Sequence, residues 1–307
     1  MTDSPYILHM FTHAPNVSPF DVNMAIDSGY NVVIPYTHLT VDQVQGMTQD
    51  AIFSRGPSGV KRTAIFIGGR DNEIANDMVE AAHRAMVPPF EVSVFADPSG
   101  AFTTAAAMVA CVERALKRDH GTTLEGKRVA VIGGTGPVGA AAAVLSADAG
   151  ADVHIIGYEP MTHARTTANR LADKYEVEIT PAEADLEQIK LRMVRDADVV
   201  LATSKAGVQV LTPAGLATTH HLLVAADVNA VPPAGIAGID LMDDGKRIES
   251  ASGKTVAIGA LAIGNVKYQT MQRMFRSMVK AEKPVYYDFR AAFAFAREFV
   301  SETKPAG

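Results

Sequence analysis

Arg128-Val-Ala-Val-Ile132, running directly into Gly133-Gly134-Thr135-Gly136-Pro137-Val138-Gly139 and then the apolar stretch Ala140 to Leu145, decides how this 307-residue chain folds. A β-branched run, a glycine-rich turn and an alanine-rich helical segment follow one another, and a second strand is predicted at Asp152 to Gly157. In that context Gly134, Gly136 and Gly139 fit a dinucleotide-binding turn. Gly134 serves the tight turn, Gly136 lets backbone approach a pyrophosphate, and Gly139 lets the helix pack closely on its strand. The whole turn, with Thr135, Pro137 and Val138, is the candidate cradle, because unpaired N–H groups at a helix start face an anion. A merely structural glycine turn is the competing reading. Tyr158-Glu159 lies after the second strand, and Glu159 falls at the distance, about 20 positions on, where a carboxylate holds the ribose hydroxyls. That carboxylate favours NAD and repels the 2′-phosphate of NADP, with Arg165 on the next helix as a partial compensation that leaves NADP possible. The alternative for Glu159 is a solvated loop residue.

Outward from this unit, short apolar runs alternate with amphipathic segments along the whole chain, the pattern of parallel strands joined by crossover helices. Upstream, strands are predicted at Tyr6 to Phe11, Asn31 to Pro35, Thr63 to Ile67 and Glu91 to Ala96. Ser18, Pro19 and Asp21 signal a helix start and Gly29 its stop; further helices are predicted at Asp71 to Met86 and Thr103 to Arg118. Downstream, a helix at Pro137 to Ala149 and another near Thr162 to Tyr175 alternate with strands at Val177 to Thr180, Ala197 to Ala202, Leu222 to Asp227 and Thr255 to Leu261. Two closing helices follow, Asn265 to Lys280 and Asp288 to Glu302. The predicted fold is α/β, a doubly wound parallel sheet forming a Rossmann dinucleotide domain, preceded by a second α/β domain. Thr203, Asp227 and Asn229 follow strand ends on the side where such sheets bind ligands and are candidate cofactor contacts. For Asp227 and Asn229 the competing role is to hydrogen-bond the Gly- and Pro-rich loop Asn229 to Asp240.

Composition excludes several classes. Hydrophobic residues make up 48% of the chain and charged ones 20%, so a core can be buried and a disordered or collagen-like chain is out. The formal charge is −6 and the basic residues are dispersed, which argues against nucleic acid or an anionic membrane as partner. Cys111 is the single cysteine, and the chain start lacks a signal-peptide pattern, so a reducing cytoplasm is the expected compartment. The apolar stretch Val129 to Leu145 is shorter than the roughly 20 residues of a membrane span. Gly253-Lys254-Thr255 ends like a phosphate-binding P-loop, but Ile248 stands where the leading glycine belongs. Nine histidines, His220-His221 among them, form no metal-binding spacing, so no metal is expected. Met271, Met274 and Met278 are spaced as packing positions of a helix.

Four further segments carry a resemblance: Ser18-Pro-Phe-Asp-Val22; Thr63-Ala-Ile-Phe-Ile-Gly-Gly69; Asp97-Pro-Ser-Gly-Ala-Phe-Thr-Thr-Ala-Ala-Ala107; and the run Ala226 to Asp240. With the glycine turn and Ile258-Gly-Ala-Leu-Ala-Ile-Gly-Asn-Val-Lys267, they resemble, in order, the NAD(P)-dependent methylene-tetrahydromethanopterin dehydrogenases of methylotrophic bacteria. The resemblance implies a substrate domain over 1–110, completed by closing helices 270–307, a dinucleotide domain over 111–269, and a cleft between them closed by a neighbouring subunit. It also implies a homo-oligomer, with a trimer as the suggested count.

The reaction it implies is hydride transfer from the one-carbon bridge of a reduced pterin to NAD(P). Residue by residue, the family's cleft aromatic falls on Phe20, its threonine on Thr104 and its lysine on Lys267, with Asp21 beside Phe20. Met271 stands where some members carry a histidine, and Glu159 where NADP users carry basic residues. The competing roles are a core position for Phe20, a helix cap for Thr104 and a surface position for Lys267. A methylene-tetrahydrofolate dehydrogenase of the same architecture and a non-catalytic dinucleotide sensor are the alternative functions.

Overall fold

The computed structural model describes residues 4–157, 161–182 and 187–303. In chain order the elements are β1 (Ile7–Phe11), α1 (Pro19–Asp27), β2 (Val32–Tyr36), α2 (Val41–Phe53), α3 (Pro57–Val60), β3 (Thr63–Ile67), α4 (Asn72–Arg84), β4 (Ser93–Ala96) and α5 (Ala101–His120). Then come β5 (Arg128–Ile132), α6 (Pro137–Asp148), β6 (Asp152–Ile156), α7 (Met161–Tyr175), β7 (Ile179–Pro181), α8 (Glu187–Arg195), β8 (Val199–Ala202) and α9 (Pro213–Leu216). The chain closes with β9 (Val224–Asp227), β10 (Asp244–Arg247), β11 (Val256–Ile258), α10 (Ala260–Lys280), β12 (Tyr286–Tyr287) and α11 (Phe289–Glu302). It forms two compact units, one of Met1–Thr103 with Tyr268–Phe295, the other of Thr104–Lys267 with Ala296–Gly307.

The first unit is built on a five-stranded sheet in the order β12-β4-β3-β1-β2, every pair parallel. β3 is buried along its whole length, as an apolar run covered on both faces should be. The aromatic core gathers Phe66, Phe95 and Phe275 within ring separations of 5.1 to 5.5 Å. α1 starts as its sequence dictates, with Ser18 Oγ accepting from the Phe20 amide at 3.2 Å and Pro19 in the first helical position. α4 is capped by Asp71, whose Oδ1 accepts from the Glu73 and Ile74 amides at 2.8 and 3.1 Å. On the open edge, Pro35 interrupts the row of donors β2 would otherwise present.

The second unit carries a seven-stranded sheet in the order β10-β11-β9-β8-β5-β6-β7, parallel except for β10 against β11. The apolar stretch Val129 to Leu145 forms most of β5, the glycine turn and the greater part of α6, and Gly139 through Ser146 are buried without a break inside this unit. Among the described residues no helix is long and apolar enough to cross a membrane. Cys111 on α5 is fully buried, and burial pushes its thiol up to about 12, so it is held protonated and shielded.

Two sequence expectations need correction. Residues 104–110 and 296–303 group with the second compact unit, and 268–269 with the first, so the division differs from the expected 1–110 with 270–307 against 111–269. The pairing of Arg297 on α11 with Glu113 on α5, Nε to Oε2 at 2.7 Å, ties the last segment there. The apolar run Thr255 to Leu261 is also not one strand. β11 stops at Ile258, and α10 begins at Ala260, five residues before its predicted start. At Gly259 the backbone passes so close to residues 240 and 241 that a Cβ would meet Leu241 O at 2.5 Å. The Leu261 amide then donates to Leu241 O at 2.8 Å, which fixes the first turn of the helix.

Candidate active site

In the second sheet the chain winds outward from β5 through β6 to β7 on one side, and from β8 through β9 to β11 on the other. The switch point therefore lies between the carboxyl ends of β5 and β8, where open α/β sheets receive ligands. Residues 133–139 leave β5 at that point. Gly133 has φ +84°, so it makes the tight turn that the sequence pattern assigned to Gly134. Gly134 is required for a different reason, since a Cβ there would lie 2.6 Å from the Ile155 Cβ on β6. Gly139 seats α6 against the neighbouring strand end, its would-be Cβ falling 2.6 Å from Thr203 Oγ1. Gly136 differs from both. It is the N-cap of α6 at φ −80°, and among the described residues a Cβ would meet only Gly133 O at 3.4 Å. Half-buried Thr135 precedes it; Pro137, exposed, and Val138, half-buried, begin the helix, whose first-turn amides lack intrahelical acceptors.

Thr203 faces this turn from the end of β8, its Oγ1 donating to Ile132 O at 3.0 Å. The next residue, Ser204, was not singled out by its sequence. Its Oγ is buried without a hydrogen-bond partner among the described residues, and a Cβ on Gly133 would approach it to 2.9 Å. Asp227 and Asn229 spend their side chains on the loop that follows β9. Asp227, 2% exposed, accepts from the Asn229 amide at 2.9 Å and the Ile236 amide at 3.1 Å. Burial raises its pKa, and these backbone donors oppose the rise. Asn229 accepts from the Gly207 and Val231 amides and donates to Pro233 O at 2.8 Å. Tyr158 and Glu159 lie outside the described residues, whereas Arg165 is exposed on α7.

The first sheet has its own switch point. β1 connects to β2 on one side, and β3 and β4 continue on the other, so the reversal falls between the carboxyl ends of β1 and β3. Thr12-His13 leave β1 there and Gly68-Gly69 leave β3. The segment after β4 is fixed to this edge: Ser99, in a left-handed conformation at φ +52°, donates from Oγ to Gly69 O at 2.8 Å. Asp97, fully buried, accepts from the Phe102 and Thr103 amides at 2.9 and 3.1 Å and from Thr103 Oγ1 at 2.6 Å. Asp97 is thus the cap of α5, and Thr104, half-buried in the first turn, is not. Phe20 is 41% exposed on α1, which removes it from the core of this chain, while Asp21 next to it is buried. Lys267 is half-buried on α10, and Met271 one turn on is fully buried.

Two doubly wound sheets, one wholly parallel and one parallel but for its β10 edge, the latter bearing a glycine turn and a helix N-terminus at its switch point, define an α/β protein of the Rossmann class. Shikimate 5-dehydrogenase from Listeria monocytogenes shares that fold, with a TM-score of 0.50 at 12% identity over 98% of each chain. Residues 19–99 match the model of the N-terminal domain of methylene-tetrahydromethanopterin dehydrogenase. The chain is 48% identical, over 95% of its length and 98% of the relative's, to the NAD(P)-dependent methylenetetrahydromethanopterin dehydrogenase of Methylorubrum extorquens. A bifunctional protein named MdtA from the same bacterium is 32% identical over 96% of this chain and 99% of its own. The chain belongs to the family of NAD(P)-dependent methylenetetrahydromethanopterin dehydrogenases.

Proposed function

We propose that this protein oxidises the one-carbon bridge of methylene-tetrahydromethanopterin to the methenyl form, with NAD(P) as hydride acceptor. Family membership supports the substrate, and the observation that carries the cofactor site is the open backbone approach at Gly136. In this reading a pyrophosphate lies there, against glycine backbone and first-turn amides of α6, with the Ser204 hydroxyl, which has no partner among the described residues, across the turn. When bound, the nicotinamide supplies the hydride acceptor. The chain's own task is alignment, because the bridge carbon lies between two nitrogens that stabilise the cation left behind, and no base is required. In this reading Gly134, Thr135, Gly136, Pro137, Val138, Gly139 and Thr203 form the cradle. Asp227 and Asn229 act on it through the loop they hold. Initial rates with methylene-tetrahydromethanopterin and methylene-tetrahydrofolate, each against NAD and NADP, test the assignment, which requires the methanopterin substrate to give the higher kcat/KM.

Phe20, Thr104 and Lys267 are proposed to contact the pterin, Phe20 offering its exposed ring and Lys267 a hydrogen bond, while Asp21 offsets positive charge developing on the substrate. Lys267→Ala and Thr104→Val are expected to lower kcat or raise the pterin KM about tenfold, with melting temperatures close to wild type. Wild-type kinetics in both variants would return these residues to a structural role.

NAD is the preferred cofactor in this proposal, because a carboxylate at Glu159 accepts from both ribose hydroxyls and repels a 2′-phosphate. One such interaction is worth about 1–3 kcal/mol, roughly ten- to a hundredfold in kcat/KM. Glu159→Lys should narrow or reverse the preference at fixed ionic strength, and a wild type that favours NADP would overturn it. A homo-oligomer in the cytoplasm completes the proposal.

A further inference from the structure

His13 is the first residue after Thr12 at the carboxyl end of β1, on the β1 side of the first sheet's switch point, and the family resemblance gave it no role. The residue is only half-buried, yet its Nδ1 is buried and has no hydrogen-bond partner among the described residues. A buried polar nitrogen left unpaired costs free energy unless something else pairs with it. The wall on the β3 side is shaped around this ring. A Cβ on Gly69 would fall 2.5 Å from His13 Cε1 and 2.7 Å from Nδ1, and Gly69 has φ +118°, a conformation that side chains avoid. That wall is also held in place, since the Gly69 carbonyl accepts from Ser99 Oγ. The result is a half-buried imidazole, packed against glycine backbone, at the position where parallel α/β sheets take their ligands.

We infer that His13 is a pterin-contacting residue, its imidazole nitrogen hydrogen-bonding the amide-like edge of the pterin's pyrimidinone ring. Such an edge presents both N–H donors and a carbonyl acceptor, so either imidazole tautomer finds a complement. The contact serves binding and orientation of the substrate head, not proton transfer. The inference rests on the proposed pterin substrate.

The test measures equilibrium binding of methenyl-tetrahydromethanopterin, NAD affinity, melting temperature and steady-state kinetics in wild type, His13→Ala and His13→Asn. The expected result for His13→Ala is pterin binding weakened about tenfold or more, with NAD affinity and melting temperature unchanged. His13→Asn, which keeps a hydrogen-bonding group near the Nδ1 position, should recover most of the loss. Unchanged pterin binding in His13→Ala overturns the inference while leaving the function standing. A loss that follows the melting temperature and that Asn does not rescue overturns it too, in favour of a structural role. If binding depends on His13 but wild type transfers no hydride, the inference stands and the proposed reaction fails.

Discussion

Gly136→Val is expected to weaken NAD(P) binding about a hundredfold or more, while the folded protein keeps a melting temperature within a few degrees of wild type. The backbone at Gly136, at φ −80° and ψ 167°, is one that valine adopts readily, and a Cβ there meets, among the described residues, only Gly133 O at 3.4 Å. The substitution therefore strains little inside the protein and fills the space through which a pyrophosphate reaches backbone amides. The neighbouring glycines do not offer so clean an experiment. A side chain at Gly134 collides with Ile155, and one at Gly139 with Thr203, so loss of binding there would be confounded with loss of fold. Titration with NADH, followed by its fluorescence, reads the effect; unaltered affinity in a folded Gly136→Val protein would remove the cradle from this turn.

Asp97→Ala should destabilise the first unit by about 3 kcal/mol or more. The fully buried carboxylate serves two amides and one hydroxyl at the start of α5, and its removal takes the acceptor from both amides and leaves the Thr103 hydroxyl only its long contact to Gly100 O at 3.4 Å. Each orphaned donor costs about 1–3 kcal/mol, partly relieved by relaxation, and the lost helix cap alone is worth about 1 kcal/mol. Asp97→Asn keeps one side-chain acceptor and should lose roughly half as much. Because the same turn carries Thr104, turnover of any folded Asp97→Ala protein should fall as well. Chemical denaturation of the three proteins gives the comparison, and an Ala variant within about 1 kcal/mol of wild type would show that the capping network contributes little.

What could be read from the sequence was what depends on local pattern. β3 and β5 fall at the predicted residues, Thr63–Ile67 and Arg128–Ile132, because continuous β-branched runs bounded by turn residues have few other uses in a buried parallel sheet. α1 was legible from Ser18 and Pro19, whose side chains act within one turn. α2 was not, although Thr40 and Gln43 form a capping box at its start. Its sequence, Val-Asp-Gln-Val-Gln-Gly-Met-Thr-Gln-Asp-Ala-Ile-Phe, spreads polar residues and a glycine through the helix, and only packing against its neighbours picks out the buried Val44, Thr48, Ala51 and Ile52. β10, with the polar sequence Asp-Gly-Lys-Arg, and the two-residue β12 exist through pairing with β11 and β4, a long-range cause with no local signature.

The same division runs through the site. The glycine turn was legible because its conformation and its close packing on β6 and β8 demand positions without a side chain. That Gly133 rather than Gly134 takes the left-handed conformation could not be read, since it depends on where β6 and β8 lie. Asp97, Ser204 and His13 escaped notice for a related reason. Each matters through atoms brought to it by a different strand end, and a lone Asp, Ser or His in a loop carries no spacing to mark it.

The most direct measurement is a turnover with methylene-tetrahydromethanopterin deuterated at its one-carbon bridge, the label being followed into the reduced cofactor and into solvent. Direct hydride transfer carries one deuterium to the reduced nicotinamide for each methenyl-pterin formed, with none released to water. Methenyl-pterin formed without labelled cofactor, or no turnover with either NAD or NADP, would contradict it.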